Sequence, residues 1–425
     1  MRCAPDARTH PEVGGKLGRV RAFGLVAVTI GLIISACTTP VEQAPHVSEP
    51  TVDPAFVHGT DRGETDRLAA TVVTDVQRYW AHAYPETFGS PWRDLDGGFF
   101  SVDTGGTGTA PPCASEPREV EGNAYYCQSV DAIAWDRAAL LPVLREHYGD
   151  TAVAVVLAHE IGHAVQQRAG LAEGEPLRLE AMADCYAGSF LRWVSDGHAP
   201  HLRTDPDRLD DALRAITVFR DPIGTSGHGT AFDRVTAFQH GFTGGPRGCT
   251  RVSESDVAEP VDDDPNAPLE SVLDTAPMAE RFGTAVADLG GRWVPPARST
   301  GCPGAGGPVG FCPSPPTVTA DPVALRRTHD DIGDQAVTTL LASRYALAAL
   351  TELGHRASGA DIACLTGAFT AEQPRLSPGD LDEAVQVVLE SEAASRGGDG
   401  PPLSGFDRIA AFGDGVRSGW GGCVR

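Results

Sequence analysis

Val155-Val156-Leu157-Ala158-His159-Glu160-Ile161-Gly162-His163-Ala164-Val165 sets the pattern H-E-x-x-H inside an apolar run. Apolar residues on every face predict a buried helix over residues 151–168. The spacing of four puts His159 and His163 one turn apart on one face, where both imidazoles reach a single zinc ion. Glu160 then stands beside them, toward the water that such a metal carries. A hydrolytic zinc takes three protein ligands and leaves a fourth position open. A third histidine in the metzincin manner is ruled out, because Gln166 and Ala169 stand where that pattern needs glycine and histidine.

The third ligand is sought on a second predicted helix, Leu177 to Ser195, in Glu180-Ala181-Met182-Ala183-Asp184. Its two carboxylates lie one turn apart on one face. Glu180 is assigned as the ligand, and Asp184 as the acceptor that holds a ligand imidazole by its other ring nitrogen. The reverse assignment is also compatible with the spacing. Further helices are expected near Arg67 to His82 and Asp207 to Arg220, and strands at Gly98 to Asp103 and Ala132 to Asp136. The strand Ala132 to Asp136 is read either as a core strand or as one that pairs with an extended peptide. Large helices with a small sheet give an α+β fold.

Taken in order, Ala158-His159-Glu160-Ile161-Gly162-His163, Arg178-Leu179-Glu180 with Ala183-Asp184-Cys185 and Ala187-Gly188, then His228-Gly229-Thr230, Arg234 and Gly241-Phe242 resemble the neutral zinc metallopeptidases of bacteria, within the gluzincin type. The resemblance covers residues 65–250. Tyr125-Tyr126-Cys127 looks like another block of that family, with Gln128 in place of its proline. The resemblance implies a zincin-like domain with one Zn2+ and a peptide or protein substrate, cut as by a metalloendopeptidase. Glu160 would be the general base and His228 the group facing the developing oxyanion. Arg234 is read as a structural ion-pair residue, because its counterpart Arg408 persists where the chemistry does not.

That counterpart belongs to an internal repeat. Gly149-Asp150-Thr151-Ala152-Val153 recurs as Gly333-Asp334-Gln335-Ala336-Val337, and the stretch around Cys185 recurs around Cys364. Phe232 to Cys249 likewise recurs as Phe406 to Cys423. Alignment places Ser343, Arg344 and Leu347 opposite His159, Glu160 and His163, and Gly359, Ala363 and Pro402 opposite Glu180, Asp184 and His228. The second copy is therefore expected to be a degenerate domain without zinc, packed on the first or binding a partner of its own. The expected organisation is a leader (1–36), a tether (37–61), a catalytic domain (62–250), an acidic proline-rich linker (251–268) and the degenerate domain (269–425).

The leader carries Arg2, Arg8, Lys16, Arg19 and Arg21 before an apolar run from Ala22 to Ile34, too short to span a bilayer. Ile34-Ser35-Ala36-Cys37 resembles the bacterial lipobox, which implies lipidation at Cys37 and an extracytoplasmic protein anchored to the cell membrane. Removing residues 1–36 changes the net charge from −23 to −26, an acidity that excludes nucleic acid as a partner. Cys113, Cys127, Cys185, Cys249, Cys302, Cys312, Cys364 and Cys423 then remain beyond Cys37, an even number that favours disulfides in an exported chain. Four fall in each copy, Cys113 and Cys127 corresponding to Cys302 and Cys312, and Cys185 and Cys249 to Cys364 and Cys423. The economical pairing is therefore Cys113 with Cys127, Cys185 with Cys249, Cys302 with Cys312 and Cys364 with Cys423, although other connectivities stay open. The competing functional class is a non-enzymatic envelope lipoprotein, with structural zinc or with two binding modules.

Overall fold

Two repeated Gly-Asp steps open the central helices. Gly149 has φ 74° and ψ 179° and Gly333 has φ 150°, backbone that a side chain would strain, and a helix starts immediately after each. The computed structural model describes residues 51–218, 229–252, 265–303, 306–374, 376–397 and 400–424. The leader, Cys37, most of the tether, His228 and most of the linker lie outside the described residues.

The fold is α+β. In the first half a long helix α1 (Glu64–Phe88) follows the first strand of a sheet of order β1-β2-β4-β3, built from Val57–His58, Gly98–Val102, Ala132–Asp136 and Ala124–Cys127 respectively. β1, β2 and β4 are parallel and β3 is antiparallel to β4. Helices α2 (Leu140–Ala169), α3 (Pro176–Ser195), α4 (Pro206–Val218), α5 (Ala231–Gly244) and the single turn α6 (Pro246–Cys249) follow. The second half opens with α7 (Leu269–Val272) and α8 (Ala276–Asp288), then a sheet of order β5-β7-β6 made of Ala297–Ser299, Pro316–Ala320 and Val309–Pro313. It closes with α9 (Pro322–Asp331), α10 (Asp334–Glu352), α11 (Gly359–Ala371), α12 (Pro378–Glu390), α13 (Gly405–Ser418) and α14 (Trp420–Cys423).

Helix α1 is longer than expected, and α2 begins upstream of the Gly149 break. The buried Asp136 carboxylate accepts from the N–H groups of Ala138, Ala139 and Leu140 at 2.8, 3.1 and 3.2 Å and so caps this extra helical piece. Strand β4 is buried at all five residues and hydrogen-bonded on both sides. The alternative in which it pairs with a substrate is thereby excluded, and the free edge on that side of the sheet is β3.

Register is the same in both sheets. Cys127 faces Ala132, which faces Gly98, just as Cys312 faces Thr317, which faces Ala297. All eight cysteines are bonded in the economical way, each within its own half. Cys113 pairs with Cys127 and Cys302 with Cys312, while Cys185 pairs with Cys249 and Cys364 with Cys423. Cys113 and Cys302 themselves lie outside any strand, Cys113 on the connection from β2 to β3 and Cys302 on the matching connection from β5 to β6. Each bond thus ties the connection to the antiparallel strand that follows it. Cys113 turns there with φ 65°, and the ring spans 14 residues against 10 for Cys302, so the two connections differ in length although their bonds correspond. Four disulfides suit an oxidising, extracytoplasmic compartment. Among the described residues no helix is long and apolar enough to cross a membrane.

Buried apolar side chains of both halves join in one core. Where they meet, Phe242 and Phe406 bring their rings to 4.7 Å, and Asp210 on α4 accepts from the Gly405 and Phe406 N–H groups at 2.6 and 2.7 Å, capping α13. Asp382 accepts from the Phe232 N–H, and Gln239 donates to the Phe406 carbonyl. Within each half one helix pair crosses so closely that only glycine fits. A Cβ on Gly188 or Gly241 would run into the carbonyl oxygen of Phe238 or Cys185, and Gly367 and Gly415 stand likewise against Phe412 and Cys364. Gly241→Ala is expected to cost about 3 kcal/mol through this overpacking, read as a lowered midpoint in thermal unfolding.

Candidate metal centre

The α3–α5 crossing fixes what stands behind the H-E-x-x-H helix. It brings Arg234 of α5 onto Asp184 of α3, with Nε on Oδ2 and Nη2 on Oδ1, both at 2.8 Å. Asp184 is fully buried and Arg234 is 6% exposed, so this bidentate pair is charge-assisted and almost dry. Burial alone would raise the Asp184 carboxyl, but Arg234 and then His159 outweigh it and hold the group well below the usual range. A second close approach, Gly162 of α2 against the Ala183 backbone, sets α2 and α3 side by side.

Three side chains bring four ligand atoms together between those helices, each imidazole facing its own Glu180 oxygen. His159 Nε2 lies 3.2 Å from His163 Nε2 and 3.1 Å from Glu180 Oε2, and His163 Nε2 lies 3.4 Å from Glu180 Oε1. Zinc bonds of about 2.0–2.1 Å at a tetrahedral angle put neighbouring ligand atoms about 3.3 Å apart, so the donor set has the size of a zinc site. The other ring nitrogens are already engaged. His159 Nδ1 is 2.8 Å from Asp184 Oδ1, and an ionised carboxylate only accepts, which makes Nδ1 the donor. His163 Nδ1 is 3.1 Å from Gln166 Oε1, while the Gln166 amide nitrogen donates to the Leu179 carbonyl, so this Nδ1 donates as well. In their neutral forms both imidazoles thus aim lone pairs at one point beside a carboxylate, an arrangement that needs a positive charge at its centre.

With protein groups alone that charge is a proton on His159. Burial disfavours the imidazolium, yet Asp184 and Glu180 together lift its pKa to about 10. The same burial, with a charged His159 beside it, depresses His163. Glu160 is raised to about 7, mainly by burial and further by Glu180, with His159 opposing. The Tyr126 backbone N–H also opposes the rise, so the edge strand β3 borders the donor set.

Sequence reasoning left Arg234 outside the site, as a structural ion pair. The structure makes it the group that charges and fixes Asp184, and its partner differs from that of Arg408. With Ala363 in place of an aspartate, Arg408 donates to the carbonyls of Val388, Leu389 and Leu403. The clue available in the sequence was its place in the block that begins at His228. Arg344, opposite Glu160, is buried and donates to Ser343 Oγ and to the carbonyls of Ala393 and Arg396. Desolvation, with Arg396 nearby, brings it down to about 10. His228 falls outside the described residues.

No family model matches the chain, and no solved structure matches it. Similar sequences occur in uncharacterized proteins of Mycobacterium bovis and of two strains of Mycobacterium tuberculosis, each 31% identical over 173 residues, a match covering 33% of this chain. The match spans 59% of the length of each relative.

Two outcomes follow from the geometry. Below pH 10 a divalent cation must displace the His159 proton, so its apparent affinity should rise by up to about tenfold per pH unit between about pH 6 and 9, measured by competition with a chromophoric chelator. Asp184→Asn lets an amide N–H face His159 Nδ1 and favours the wrong tautomer, so affinity should fall about 10–100-fold in protein that is still folded by circular dichroism.

Proposed function

We propose that this chain is a zinc-dependent peptidase of the bacterial cell envelope, with a zincin-like catalytic half followed by a degenerate copy of the same domain. The observation that carries the reading is the convergence of His159, His163 and Glu180, the two Nε2 atoms 3.2 Å apart and each 3.1–3.4 Å from its own Glu180 oxygen, with Asp184 and Arg234 behind them. Among the described residues it supplies three ligands, and three with an open position characterise catalytic zinc, whereas structural zinc is enclosed by four. This favours the enzyme over a non-enzymatic lipoprotein with structural zinc.

Zinc held there would polarise a scissile carbonyl and acidify a water molecule toward neutral pH. His159 and His163 keep their ligand nitrogens in the required tautomer through Asp184 and Gln166. Glu160, buried and raised to about 7, accepts a proton from the attacking water and returns it to the amine nitrogen as the carbon–nitrogen bond breaks. An extended substrate would add its backbone to the open edge of β3, which borders Glu160 through Tyr126. His228 remains the candidate for the oxyanion.

The second half is read as degenerate on the matching sheet registers, the matching glycine crossings and the buried Arg344 opposite Glu160. A cation there repels a metal ion. The four disulfides and the lipobox at Cys37 support anchoring on the outer face of a membrane through lipid, with the acidic ectodomain facing peptide or protein substrates.

The purified chain should hold one zinc, lost in His159→Ala, by elemental mass spectrometry. Glu160→Gln should keep the zinc and lower turnover of a peptide library by at least about 10³-fold. Undiminished cleavage by that variant, or a chain that takes up no zinc, would sink the peptidase reading.

A further inference from the structure

In the first half one face of α1 is packed with large side chains. Val73, Val76, Trp80 and Tyr84 of α1 are at most 2% exposed, and Phe99 of β2 meets Phe56 edge-on with ring centroids 6.0 Å apart. The chain's own β1 closes the sheet there, pairing Val57 with Phe99 and His58 with Phe100.

The same place in the second half is hollow. The shared sheet register puts Arg298 where Phe99 stands. Tyr79 of α1 and Phe282 of α8 each set a ring against the matching phenylalanine of a later helix, Phe190 at 5.8 Å and Phe369 at 5.3 Å. This aligns Trp80 with Gly283, and with it Val73, Val76 and Tyr84 with Ala276, Ala279 and Ala287. Each of these four large residues has become a small one, and the Trp293 indole takes up the space beside Gly283. The result is a groove of about 840 Å³ between α8 and β5, walled by Trp293 and Tyr345. All three residues of β5 are exposed, and among the described residues no strand covers its outer edge, the edge that β1 covers on β2.

Asp274, Glu280 and Asp288 line the groove against a single cation, Arg298. We infer that this groove receives an extended apolar peptide bearing a basic side chain, added as a parallel strand on β5 where residues 57–58 lie on β2. Main-chain hydrogen bonds to Arg298 and Ser299 give the affinity, side chains enter the space beside Ala279 and Ala287, and the carboxylates select a cation. The acidic run Asp262-Asp263-Asp264 of the connecting stretch carries the wrong sign for this rim. The precedent of β1 rests on the two-copy reading; the groove and its charge do not.

The probe is a fluorescein-labelled octapeptide with the sequence of residues 51–58, in which Asp53 is replaced by arginine, titrated with the full chain by fluorescence anisotropy. Saturable binding is expected, weakened at least tenfold by Ala279→Phe, which refills the groove, and at least fivefold by Glu280→Lys with Asp288→Lys. The same peptide with its aspartate should bind at least fivefold more weakly. No saturable binding, or binding indifferent to Ala279→Phe, overturns the proposal. Binding that appears only when residues 253–264 are deleted also overturns it, since the chain itself would then occupy the groove. Zinc content and peptide cleavage are measured separately, so failure of the peptidase reading leaves this result interpretable.

Discussion

The bidentate contact of Arg234 with Asp184 is the constraint on which the geometry of the candidate metal centre depends. Two opposite charges are taken out of water, a cost recovered only with good geometry and full hydrogen bonding. Both conditions are met by one packing feature. Gly188 and Gly241 let α3 and α5 approach to backbone contact, and at that separation the guanidinium reaches both carboxylate oxygens. The carboxylate, held ionised, then fixes the His159 tautomer, which in turn aims Nε2 at the same point as His163 and Glu180. A chain of single contacts thus runs from helix packing to ligand direction.

The second half keeps the packing and drops the charge. Gly367 and Gly415 preserve the close crossing, and the Cys364–Cys423 disulfide lies as Cys185–Cys249 does. With no aspartate opposite it, Arg408 turns to the carbonyls at the end of α12. Arg344 similarly finds carbonyl oxygens in the segment after α12. The helix before the sheet differs as well. Small side chains on α8 opened a groove where the first half has a filled core. One scaffold therefore presents an inward polar site in one half and an outward apolar surface in the other.

The halves are also joined mechanically. Asp210 of α4 caps α13, and Asp382 of α12 accepts from the Phe232 N–H at the start of α5, two positions before Arg234. The helix that carries Arg234 is thus held from both sides, by α3 within its own half and by α12 from the other.

The sequence by itself determined the elements that depend on local period and on counting. H-E-x-x-H in an apolar run gave a buried helix with two imidazoles on one face, E-x-x-x-D gave two carboxylates on the next, and the repeat of four cysteines pointed to pairing within copies. These features are fixed by residues within a turn or two of one another, or by simple repetition. Counting matched Cys113 with Cys302 but did not say where in the fold they sit, on connections of different length that lead to the strands of Cys127 and Cys312. Strands β1 and β3 were not legible, because two to four residues carry no period and are held by their neighbours in the sheet. Only the tertiary structure gave Arg234 its role, since its carboxylate partner lies 50 residues away and is reached through a glycine crossing. The groove was equally hidden: alanines along α8 read as ordinary helix formers until the sheet beside them proved to lack a covering strand. Spacing along the chain encodes which way a side chain points, whereas what it points at is decided by how the helices and strands close on one another.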